Sequence, residues 1–222
     1  MLEALLSTSK GAGLTPGTPY LGGFYVGELL VNGTKYSLIV APKALGETTG
    51  LVYDTAPAGN KEAQSTWDGA GNTATLVAHG TTRCQAALFC HNLSIGGFTD
   101  WVLPAQDQLE MLYRAFKPTA TVNQVVTGQG VNTSSNPNGA AYTLTSPPQT
   151  NVAIFQAGGS EAFQFGTASS PDYWSSTGSP TALSYADTQA FYSGRVGASA
   201  KSASSGVGGT LWVRAVRMVA HT

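Results

Sequence analysis

The spacing of apolar residues changes several times along the chain, and each change predicts an element. Phe24 to Leu30 alternates apolar and polar, and Lys35 to Val40 returns in kind. Between them stands Asn32-Gly33, a strong turn signal, so Tyr20–Ala41 is predicted as a β-hairpin closed by Pro42. Residues 46–71 are rich in Gly, Pro, Thr and Asn and predict loop, with a short strand at Leu51–Tyr53 and with Tyr53 and Trp67 closing the core. Asn72 is the expected N-cap of a short helix over Thr73–Ala78. Helical spacing resumes at Thr82–Leu93, where Ala86, Leu88, Phe89 and Leu93 share a face. Gly96-Gly97 ends that pattern, Phe98–Leu103 reads as extended with Trp101 as a buried anchor, and Pro104 stops it. A second helix starts near Ala105. Leu109, Leu112, Tyr113 and Phe116 form its apolar face, Met111 flanks it, and Gln106, Asp107, Glu110 and Arg114 are expected to face water. Pro118 ends it.

The second half is polar and punctuated. Thr119–Ala141 is rich in Asn, Gly and Ser. Short extended pieces are predicted at Thr143–Leu144, Val152–Ala157 and Ala162–Gly166, and strands at Tyr173–Thr177, with Trp174 inward, and at Thr188–Ser193. Val196–Gly209 reads as a Gly/Ser/Ala loop. The last strand, Leu211–Val219, is apolar on both faces and is expected to be central and covered on two sides. Residues 1–19 read as an arm: Met1–Leu6 has the makings of a helical turn and Thr8–Pro19 is irregular. Docking on a neighbour and plain disorder remain equal readings of it.

Composition narrows the class. The 222 residues are long enough for one domain with a proper core. Net charge is -1, which argues against a nucleic-acid binder that works through phosphate contacts. Only 10% of residues are charged, against about 25% in ordinary domains. With 27 glycines, such a neutral, turn-rich chain suits a β-rich extracellular or virion protein, or a subunit that buries surface in an assembly. No basic segment precedes an apolar one at the N-terminus, and no apolar run is long enough to cross a bilayer, so folding in a cytoplasm without membrane insertion is expected. Cys84 and Cys90 lie six apart on one predicted helix, project about 240° from each other, and read as free thiols. His79, His91 and His221 are scattered and make no zinc pattern.

Several stretches together resemble a known family. They are the hairpin Gly22–Glu47, CHNLSIGGFTDWVLPAQDQLEMLYRAFKPT (Cys90–Thr119), PPQTNVAIFQAGGSEAF (Pro147–Phe163), YWSST (Tyr173–Thr177), AFYSG (Ala190–Gly194) and VRAVR (Val213–Arg217). In that order and spacing they are similar to the bacterial and bacteriophage DUF1566 family, or Lcl C-terminal-like domain, over roughly residues 20–220. The resemblance implies an α+β, C-type-lectin-like fold: two helices on a small twisted antiparallel sheet, with long loops at one end. It makes Trp101, Pro104, Trp174, Arg214 and Arg217 structural motif residues and carries no catalytic residue across. It further implies a bacteriophage virion protein made in the host cytoplasm, a tail fibre, tail tip or other receptor-binding module. Its partners would be other virion subunits and a host cell-surface glycan or protein, and it would be a homo-oligomer, by analogy a trimer. A structural virion subunit, such as a head decoration or fibre anchor, is the alternative.

Departures limit the resemblance. Calcium-dependent lectins carry Glu-Pro-Asn or Gln-Pro-Asp and Trp-Asn-Asp; here Asn136-Pro137-Asn138 is a turn echo, so neither metal nor cofactor is expected. The lectin disulfides are missing, and no cysteine follows Cys90 to supply the reactive site of the formylglycine-generating relatives. Arg214 and Arg217 stand in an apolar strand and need partners, for which Asp100 or Asp172 are candidates. Glu161 and Asp172 are the remaining thought for a glycan hydrolase, which needs paired carboxylates. Phosphate-binding, dinucleotide and hydrolase motifs are not found. The recognition candidates are therefore the loop residues Tyr142, Tyr185, Asp187, Gln189, Tyr192, Arg195 and Lys201, where tyrosine offers contact area at low entropic cost.

Overall fold

A computed structural model describes residues 13–56, 63–166, 171–206 and 209–221. The elements run β1 (Pro19–Tyr20), β2 (Gly23–Val31), β3 (Thr34–Val40), α1 (Lys43–Gly46), β4 (Glu47–Thr49), α2 (Gly69–Val77), α3 (Gln85–His91) and α4 (Gln106–Phe116). Then come β5 (Ser135–Asn136), a 3-10 turn at Ala153–Phe155, β6 (Asp172–Gly178), β7 (Tyr185–Ala190), β8 (Val196–Ala200), β9 (Ser205–Gly206), β10 (Gly209–Arg214) and β11 (Val216–Ala220). The chain is α+β, with four helices and two curled, mostly antiparallel sheets among the described residues.

The first sheet has the order β1-β2-β3-β11, with β5 on the outer side of β2. Its hairpin turns where expected: Asn32 and Gly33 both take positive φ, 50° and 79°, the geometry that matches strand twist in a two-residue turn. Met1–Leu6 lies outside the described residues. Residues 7–12 lie outside them too; the described part of the predicted arm, 13–19, is partly folded, because Gly17 N–H donates to Tyr25 O and β1 pairs with β2. The second sheet has the order β4-β10-β6-β7-β8 and contains one parallel pair, β10 with β6.

The predicted last strand is two strands in different sheets. β10 lies between β4 and β6, β11 pairs with β3, and the chain changes sheet at Ala215. Ala215 N–H donates to Gly46 O, and its carbonyl accepts from Ala41 N–H, so α1 and the end of β3 hold the crossing. The side-chain alternation runs on through the crossing. Leu211, Val213 and Ala215 enter one core with Ile39, Trp101, Trp174 and the α2 and α3 residues Leu76, Ala86, Ala87 and Cys90. Trp212, Val216 and Met218 join a second core with Leu38, Val40, Tyr173, Phe191 and the α4 residues Leu109, Leu112, Tyr113 and Phe116. Apolar residues on both faces of LWVRAVRMV thus do report burial from two sides, but across two sheets.

Several smaller expectations are corrected. Asp68, not Asn72, caps α2, accepting from Gly71 N–H at 2.8 Å. Asn72 is buried one turn later, where its amide bonds the Ser65 backbone and Ser176 Oγ. The strand expected at Leu51–Tyr53 forms earlier, as β4, because pairing with β10 engages Glu47–Thr49. Thr143–Leu144 makes no strand, Val152–Ala157 closes into the 3-10 turn, and the supposed loop at 196–209 contains β8 and β9. Trp101 is fully buried as expected, its indole N–H on Phe98 O at 3.1 Å, and Cys84 and Cys90 are free and buried.

Candidate functional site

Both motif arginines are paired. Arg214 is fully buried and reaches Glu47 at 3.1 Å, Glu161 at 2.7 Å and Ala41 O at 2.8 Å. Arg217 grips Asp100 with two bonds, 2.7 and 2.8 Å, donates to Leu21 O, and lies 3.9 Å from the Phe98 ring centroid. Asp100 was the expected partner; Asp172 instead takes Arg195, at 3.0 and 2.8 Å. Glu161 and Asp172 are therefore held by different arginines. Trp174 donates to Leu51 O, and Pro104 O accepts from Ser176 N–H, so the two motif segments brace each other. These five residues build the frame.

The long polar segment after α4 is pinned to that frame by charges expected to face water. Glu110 is buried. Its carboxylate accepts from Arg114 at 3.0 Å, Tyr142 OH at 3.0 Å and Asn132 Nδ2 at 2.8 Å. Burial raises its pKa, while Arg114 and the hydrogen bonds pull it down. Arg114 also donates to Gly130 O and Ala140 O and packs over the Tyr142 ring. Asp107 is half-buried and accepts from Ser134 Oγ at 2.6 Å. Further along, the buried Lys117 ammonium donates to Asn123 Oδ1 and Pro147 O, and burial lowers its pKa. Helical periodicity placed these groups on the polar side correctly, but that side is covered by loop. The available signal was the run Pro118–Ser160, which contains no Asp, Glu, Lys, Arg or His and so offers only neutral partners.

The recognition candidates separate accordingly. Tyr142, Gln189 and Lys201 are buried. Gln189 donates to Tyr142 OH at 3.2 Å, and Lys201 sits 5.3 Å from the Tyr53 ring centroid. Tyr185 is exposed, and Tyr192 and Arg195 are half-buried. Tyr192, Ser193 and Arg195 line a cleft of about 310 Å³ with Thr121–Gln124. Val122 in this cleft is exposed, Val126, Val131 and Val196 are exposed in a second cleft lined also by Asp107 and Glu110, and Val125 and Leu144 are exposed as well. Gln124 N–H on Ser193 O and Asn123 N–H on Leu144 O bring these segments together. No valine pattern marked this rim, because exposed valines in a loop share no period.

Asp187, on β7, is half-buried, and burial pushes its carboxyl up to about 6. An acid whose pKa is raised on folding binds more protons folded than unfolded between pH 4 and 6, so stability falls as pH rises through that window. Asp187→Asn is expected to gain about 1 kcal/mol at pH 7.5, after allowance for its partial exposure, and nothing at pH 4. Urea titrations at the two pH values check this; an equal effect at both contradicts it.

A Ser–His–carboxylate line also exists. Ser37 Oγ lies 2.9 Å from His221 Nε2, and His221 Nδ1 lies 4.0 Å from Glu28. Ser37 is fully buried in β3, out of reach of any substrate carbonyl, so the line acts as a link between the hairpin and β11. Asn136, which opens the expected turn echo, lies instead in β5 opposite Glu28 and donates to its carboxylate at 2.8 Å. Comparison with protein-family models, curated proteins and solved structures finds no match to this chain.

Proposed function

We propose that this chain is a non-enzymatic bacteriophage virion protein whose C-type-lectin-like domain recognises the host surface, as part of a tail fibre, tail tip or other receptor-binding module. One observation carries the reading furthest. The two motif arginines are engaged in internal pairs with Glu47, Glu161 and Asp100, whereas the loops after α4 turn Val122, Val125, Val126, Val131 and Leu144 outward and Tyr185 is exposed on β7. A rigid frame that holds adaptable loops suits binding. The motif segments DWVLP, YWSST and VRAVR also meet one another in the frame. Tyrosines such as Tyr185 and Tyr192 suit a glycan or protein epitope, since an amphipathic ring loses little entropy on contact.

The valine rim favours a second reading, a structural virion subunit that uses the same loops for assembly. Adsorption decides between them. Purified protein is expected to bind host cells saturably and to compete with phage for attachment. No binding, together with many copies spread over capsid or tube, would establish the structural role instead.

A further inference from the structure

Strand β8, Val196–Ala200, is the last strand of the second sheet and, among the described residues, pairs only with β7. Ala190 N–H donates to Arg195 O and Lys201 N–H to Ser184 O, which fixes the phase of the ladder. Gly197 and Ser199 therefore turn their backbone groups toward β7, and Val196, Ala198 and Ala200 turn theirs outward. Of those outward groups, Ala200 O accepts from Ala203 N–H; among the described residues the others meet no partner. Natural edge strands are normally blunted by lysine, proline, inward charge or a cover. The sequence VGASA has none of these devices, and Val196 and Ala198 are exposed. The other end of this sheet, β4, is short and carries Glu47.

The exposed valines lie beside this edge. Val126, Val131 and Val196 line one cleft together with Asp107, which is bonded to Ser134 and Thr66, and Glu110, which is paired with Arg114; the 118–160 run itself is uncharged. Arg195, the one charge in the 190–200 segment, is matched by Asp172. With Glu110 and Arg195 matched inside the chain and Asp107 half-buried under its hydroxyl partners, this surface offers little like-charge repulsion to its own copy. Segments 121–131 and 193–200 together hold fifteen exposed or half-buried residues, approaching the roughly twenty that one side of a stable interface of about 800 Å² engages.

We propose that β8 pairs antiparallel with β8 of a second copy across a twofold axis at Ala198. The two six-stranded sheets become one, and the two valine rims close over the seam. A twofold perpendicular to the sheet generates an antiparallel pair and keeps both rims on the same side of it. Val196 then stands opposite Ala200 of the partner subunit, and the outward N–H and C=O groups of Ala198 pair with their own copies.

The test is sedimentation velocity of the full chain with residue-resolved hydrogen exchange. The expected result is a two-copy species in which the Val196, Ala198 and Ala200 amides are as slow as those of Gly197 and Ser199. Ala198→Lys places like charges opposite each other and is expected to weaken association by roughly tenfold or more. It should speed exchange only at the three outward amides and leave the near-ultraviolet circular dichroism unchanged. Val126→Ser with Val131→Ser, which leaves the strand intact, is expected to weaken association as well. A monomer, a three-copy species, a dimer unaffected by Ala198→Lys, or protection of these amides only when another protein is added would each overturn the proposal.

Discussion

Arg214→Met is expected to cost about 3–5 kcal/mol, because it strips the cation from two buried carboxylates at once. Glu47 would keep Tyr173 OH at 2.8 Å and Gln164 Nε2, with Lys43 at 3.7 Å as its remaining positive neighbour. Glu161 would keep the Lys43 backbone N–H. Ala41 O would lose the donor that fixes the end of β3 beside the crossing. For a chain of this length the loss corresponds to a Tm lower by roughly 10 °C, read by calorimetry or circular dichroism. Arg214→Lys keeps the charge, but one ammonium cannot fork to Glu47, Glu161 and Ala41 O, so an intermediate loss is expected. A Tm within about 2 °C of the parent for Arg214→Met would show that the crossing does not depend on this arginine.

Glu110→Ala is the second large effect, at about 2–4 kcal/mol. It leaves Arg114 without its 3.0 Å carboxylate partner and removes the acceptor of Tyr142 OH and Asn132 Nδ2. Asn132 also bonds Asp107 O, and Arg114 also holds Gly130 O and Ala140 O, so the damage should centre on residues 128–142. Hydrogen exchange is expected to accelerate there well before it does in the β2–β3 hairpin. Glu110→Gln retains acceptor capacity and should lose less. Uniform acceleration across both regions would mean that Glu110 supports the whole fold rather than the loop.

What the chain reveals in advance follows from where its instructions are local. The hairpin was legible because Asn32-Gly33 encodes its own turn, and α4 because its apolar face repeats with the helical period. The partnership of Arg217 with Asp100 followed from the need to neutralise an arginine among apolar residues. The rest is set by distant residues. Ala215 looks like any strand position, and only Gly46 and Ala41 determine that the chain changes sheet there. Glu110, Arg114 and Lys117 look solvated until an uncharged loop folds over them. Tyr142, Gln189 and Lys201 were chosen as polar loop residues, yet burial uses them inside. Tyr142 lies in a stretch without regular structure, where no period separates inward from outward positions, while Gln189 lies in β7 and Lys201 just after β8. Tyr185, Tyr192 and Arg195 keep exposed surface for the same reason in reverse: their neighbours turn the chain back before the core can take them.

Equilibrium binding of fluorescently labelled protein to host cells tests the recognition role most directly, with Tyr185→Ala/Tyr192→Ala as the comparison. Saturable binding that unlabelled protein competes away, and that the double variant loses at unchanged Tm, is the predicted result. Equal binding by the two proteins, or no saturable binding by the parent, would contradict a recognition face on these loops.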